Sequence, residues 1–148
     1  MKTVNAPMFS RFRIAVILIF AFITSIQYSA AQSWYNTSWQ YRIPVTITNP
    51  GAELPTCQVN VNLDGLFTWG HAQAGGEDVF FTDTDGSTPL DFWIESWTPS
   101  TSASIWVELA PLPAGETVIY MYYGNPSALS ASNGSNTFLF FDDFETGT

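Results

Sequence analysis

The stretch Tyr41-Arg42-Ile43-Pro44-Val45-Thr46-Ile47-Thr48-Asn49 decides the fold. Tyr41, Ile43, Val45 and Ile47 alternate with Arg42, Pro44, Thr46 and Thr48, the period of two that gives a strand one buried and one wet face. Asn49-Pro50-Gly51 stops it. Residues 58–64 repeat the pattern, with Val59, Val61 and Leu63 opposite Gln58, Asn60 and Asn62. Such alternation marks antiparallel sheets, because parallel sheets covered on both faces read as continuous apolar runs. Working outward, strands are predicted at 79–82 and 90–97, separated by Asp83-Thr84-Asp85-Gly86-Ser87-Thr88-Pro89. A strand around Ile105, Val107 and Leu109, with Trp106 and Glu108 on its other face, turns through residues 111–115 into a strand over 117–123. That last strand is apolar or aromatic on both faces, which places it centrally. No segment beyond residue 31 sustains a helical apolar stripe, so the expectation is all-β: an antiparallel two-sheet β-sandwich, jelly-roll-like, preceded by a signal peptide.

Residues 1–31 carry that signal: Lys2, Arg11 and Arg13, then an uncharged run over 14–26, then Ser29, Ala30 and Ala31 at a cleavage position. The run is short for a membrane span, and a retained anchor is the alternative. Domains are expected at 1–31 (signal peptide), 32–127 (sandwich), 128–137 (a Ser- and Asn-rich linker) and 138–148 (the start of a second β domain cut short). Of 4 basic and 13 acidic residues, only Arg42 among the basic ones follows the signal. Residues 32–148 therefore carry one basic against thirteen acidic residues, a formal charge of −12. Such a chain assembles no cationic patch, which excludes nucleic acid and anionic membrane as partners. Arg42 is expected to pair with a carboxylate. The expected location is outside the cytoplasm: extracellular, cell-surface or periplasmic.

Catalytic equipment is sparse. One histidine, His71, and one cysteine, Cys57, follow the signal, with no nucleophile-elbow pattern, and Cys57 reads as a small buried hydrophobe. No catalytic residues and no cofactor are assigned. Asp78, Asp83, Asp85 and Asp91 cluster in sequence, and Asp83, Asp85 and Asp91 are the candidate calcium ligands; the competing reading is an Asp-capped turn. Glu95 and Glu108 are the carboxylates a glycosidase reading would use. Six tryptophans make ring stacking on polysaccharide the leading ligand chemistry, with Trp106 and Trp97 as the candidate platforms and core filling as the competing role. The sequons at Asn36 and Asn133 matter only in a host that glycosylates them.

Trp39-x-Tyr41-Arg42-x-Pro44-Val45-Thr46-Ile47-x-Asn49, Asp78-Val79-Phe80-Phe81-Thr82-Asp83-x-Asp85-Gly86, Trp93-Ile94-Glu95-x-Trp97, Leu112-Pro113-Ala114-Gly115 and Tyr120-x-Tyr122-Tyr123-Gly124-Asn125-Pro126 stand in this order. Together they resemble the exported bacterial and archaeal domain of unknown function 2341 (DUF2341), over about residues 34–136. The resemblance implies a module of a larger surface or secreted protein and transfers no active site. It also implies a following concanavalin A-like lectin/glucanase (laminin G-like) domain, of which Phe140-Phe141-Asp142-Asp143-Phe144-Glu145 would be the opening strand. The expected function is non-catalytic: cell-surface structure, adhesion or glycan contact, with polysaccharide or other surface glycans and other domains of the same chain as partners. The alternative is an accessory domain of a secreted polysaccharide-degrading enzyme whose catalytic part lies beyond residue 148.

Overall fold

The computed structural model describes residues 33–64 and 67–142. The export signal expected over 1–31 lies outside the described residues, as do residues 143–148 of the segment read as a second domain. No helix among the described residues is long and apolar enough to cross a membrane.

Among the described residues six strands form: β1 (Tyr41–Asn49), β2 (Cys57–Leu63), β3 (Phe80–Thr82), β4 (Phe92–Thr98), β5 (Ser102–Leu109) and β6 (Gly115–Tyr123). They make two three-stranded sheets, ordered β1-β6-β3 and β2-β5-β4, and every pairing is antiparallel. The architecture is thus all-β with two antiparallel sheets; the eight-stranded closure of a jelly roll is not seen among the described residues. β6, apolar on both faces, is the central strand of its sheet. Its inward Ile119 and Met121 are fully buried with Phe81, and they meet Ile105 and Val107 from the other sheet in one core.

The two sheets differ on their outer faces. That of β1-β6-β3 is roofed by residues 33–40: Tyr35 stacks on Phe80 at 4.3 Å and Trp34 meets Tyr122 edge-on at 5.3 Å. Tyr122, on that outer face, is completely buried; its hydroxyl donates to Gly86 O at 2.7 Å. Arg42 lies under the same roof. Its guanidinium sits 4.9 Å from the Trp34 ring and 4.5 Å from the Tyr120 ring, and Nη1 donates to Ser33 O and the Tyr122 hydroxyl. Among the described residues its partners are ring faces and oxygens of neutral groups, so the expected carboxylate pair is replaced by cation–π contact, which suits a planar, weakly hydrated cation.

A buried carboxylate fixes the long connection between β2 and β3. Asp78 Oδ1 accepts from Gln73 N at 2.8 Å, and Oδ2 accepts from Gly124 N at 2.6 Å and Asn125 N at 3.1 Å. Three backbone N–H groups satisfy one carboxylate, tying this connection to the exit of β6.

The polar segment after β6 packs against the other sheet. Ser132 Oγ accepts from Ile94 N, and Asn133 N donates to Phe92 O, both at 2.8 Å, so this segment bonds the outer edge of β4. Covering an edge strand in this way removes a template for aggregation. Asn133 then caps a single helical turn, α1 (Gly134–Thr137), its Oδ1 accepting from Asn136 N at 3.1 Å.

Candidate functional site: the outer face of the β2-β5-β4 sheet

The outer face of the second sheet is covered in part, by Phe138 and Phe141. Asn60 on β2, Trp106 on β5 and Trp93 on β4 are register partners, forming a row across it. Beside this row a hydrogen-bonded chain runs from β2 to β4. Asn62 Nδ2 donates to Asn60 Oδ1, Asn60 Nδ2 to Ser104 Oγ at 2.9 Å, and Ser104 Oγ–H to Glu95 Oε2 at 2.8 Å. The Trp106 indole N–H also donates to Glu95 Oε2, at 3.2 Å. Both bonds fall on one oxygen, and Glu95 Oε1 is without a partner among the described residues.

Phe138 and Phe141 complete the site. They lie nearly parallel, 6.1 Å apart. Phe138 meets Trp93 and Trp106 at 5.9 Å each, and Phe141 meets Trp93 at 4.9 Å. Phe141 can sit there because residue 134 is glycine: its ring occupies the place where a Cβ would stand. The four rings, with Glu95, Phe140 and Asp142, line a shallow groove of about 310 Å³. Two planar indoles, a carboxylate and adjacent amide and hydroxyl groups on a rigid sheet combine stacking with directional hydrogen bonding.

The structure separates the two tryptophans singled out in the sequence. β4 contains an irregularity between Ile94 and Ser96, where Ile94 pairs with Ile105 but Ser96 pairs with Ser104. One extra residue in the strand leaves both Glu95 and Ser96 on the exposed side and turns Trp97 inward. Trp97 pairs with Ala103, packs against the core and meets Trp69 at 5.1 Å, and its indole N–H donates to Ala74 O at 3.0 Å. Trp106 stays outward, with Trp93 as its register partner and the Phe138 ring at 5.9 Å. Strict alternation starting at Phe92 identifies Trp93 as outward, but its place beside Trp106 depends on strand pairing that composition does not encode.

The acidic candidates are dispersed. Asp85 closes its own turn: Oδ1 accepts from Ser87 N and Thr88 N at 2.8 Å each, and Oδ2 accepts from the Thr88 hydroxyl at 2.6 Å. The Thr88 hydroxyl, followed by the two N–H groups, holds the Asp85 carboxyl down at about 2. Asp83 accepts from Thr84 N, and Asp91 accepts from Asn136 Nδ2 at 3.4 Å, in a different part of the molecule. Among the described residues no three His, Cys, Asp or Glu side chains gather where a metal ion could bind, so Asp83, Asp85 and Asp91 are not brought together. His71 stacks flat on Tyr41 at 4.0 Å. Cys57 is half-buried, and burial pushes its thiol up. Glu108 accepts from Gln58 Nε2 at 3.2 Å. A second cavity, about 280 Å³ and lined by Ile43, Val45, Val61, Leu63, Phe67 and Tyr123 among others, is an opening of the core between β1 and β2.

Comparison with known proteins agrees with the resemblance in part. Residues 75–148 match the family described as Domain of unknown function (DUF2341). No curated protein and no solved structure matches the chain. The matched span includes β3 to β6, the groove-lining residues Trp93, Glu95, Trp106, Phe138 and Phe141, and the segment 138–148, where the sequence suggests the start of a lectin/glucanase domain; nothing in the match supports such a domain. The first two strands and the motif beginning at Trp39 lie before it. With half of its residues on that pattern, the chain belongs to the DUF2341 family.

Proposed function

We propose that this protein is a non-catalytic, exported module whose exposed β2-β5-β4 face contacts glycans at or beyond the cell surface. The observation that carries the reading is the Trp93–Trp106 pair beside Glu95, where Phe138 and Phe141 cover the outer face only in part and leave a shallow groove. Sugar rings present apolar C–H faces to stack on indoles, and their hydroxyls take up amide and carboxylate partners of the kind that Asn60, Ser104 and Glu95 provide. The basic start, uncharged run and small residues of 1–31, which read as an export signal, support the location.

The test is pull-down of the protein on a panel of insoluble polysaccharides. Retention is expected on at least one, weakened about tenfold or more by Trp106→Ala. An absence of retention on every member of the panel contradicts the reading.

A further inference from the structure

Resting on that glycan reading, we propose a ligand class for the groove: a glycan bearing protonated amines, an amino-sugar polymer, in preference to a neutral or acidic polysaccharide. Trp93, Trp106, Phe138 and Phe141 surround the groove, and Glu95 stands among them. Aromatic faces attract cations through their quadrupoles, and a carboxylate beside them adds a charge partner. Glu95 spends one oxygen on Ser104 and Trp106, and Oε1 is left for an incoming N–H donor. Glu108, two residues from Trp106 on the same strand, adds negative potential to this sheet.

Among the described residues the charge distribution leaves no internal occupant for such a site. Arg42, the one Lys or Arg after residue 31, is held on the other sheet between Trp34, Tyr120 and Tyr122. That internal contact also shows this fold using aromatic faces to hold a cation, there with no carboxylate among its described partners. The same acidic field repels uronate and sulfate groups, so charge complementarity selects the amine-bearing class.

Calorimetric titration of the protein with chitosan oligomers, cello-oligosaccharides of the same length and linkage, and polygalacturonate tests this. The chitosan oligomer is expected to bind about tenfold tighter than the neutral one. Polygalacturonate should show no heat. The chitosan preference should shrink at high salt, and should be lost as pH rises far enough to deprotonate the sugar amine. Glu95→Gln, which keeps an oxygen for Ser104 and Trp106, should reduce chitosan affinity to the neutral level while its thermal unfolding stays that of the parent. Equal affinity for chitosan and cello-oligosaccharide, or preference for polygalacturonate, overturns the amine assignment and leaves the glycan reading standing. No binding to any of the three, or to the insoluble panel, sinks both.

Discussion

Arg42 and Asp85 show how single side chains depart from what charge counting suggests. Because Arg42 is held by rings and neutral oxygens, its contribution to stability is only weakly screened by salt. Arg42→Met is expected to cost about 1–2 kcal/mol, with urea midpoints lowered alike at low and high ionic strength. A loss confined to low salt would instead reveal a carboxylate partner. Asp85 behaves oppositely, since its stabilising bonds depend on ionisation. Its folded carboxyl is depressed to about 2, below an unfolded value of about 3.9. The stabilisation is therefore complete above pH 4 and is lost as pH falls toward 2. Asp85→Asn, which retains a single carbonyl acceptor, should be less stable than the parent at pH 6, and the gap should narrow at pH 2. A gap that is constant across that range would rule out the ionised cap.

At the level of elements, β4 explains most of what the sequence conceals. The alternation of β1, β2 and β5 was legible because each keeps strict period two, and β6 was legible as central because neither face is polar. A bulge leaves no compositional trace in Trp93-Ile94-Glu95-Ser96-Trp97, yet it sends Trp97 to the core and leaves Trp93 outside. Trp106 could be read as outward from its own strand; its partnership with Trp93 could not. Phe138 and Phe141 were obscured in another way. They follow a polar stretch without periodicity, and what places them is the β4 edge, the Asn133 cap and the missing side chain of Gly134. If the bulge assigns the two tryptophans as described, Trp97→Ala opens a hole between Trp69, Phe67 and Gly76 and should cost about 3 kcal/mol or more in chemical denaturation. A cost below about 1 kcal/mol would place Trp97 at the surface.

For the whole molecule, the alternation of short strands predicts the sandwich and composition predicts the sign of its field, but neither tells which face is in use. Both sheets carry outward aromatics, and only the folded chain shows that residues 33–40 roof one of them while Phe138 and Phe141 cover the other in part and leave a groove beside Trp93 and Trp106. The formal charge of −12 over residues 32–148 belongs to the molecule as a unit, and on the proposed reading it disfavours polyanionic ligands whatever the local stacking chemistry. On the proposed reading this second face, and not the Trp69–Trp97 side, meets the ligand. The most direct test is affinity electrophoresis in gels containing the polysaccharide that retains the parent protein, comparing Trp93→Ala, Trp106→Ala and Trp97→Phe. Retardation should be lost in the first two and kept in the third; retardation that survives both outward substitutions and disappears with Trp97→Phe would contradict it.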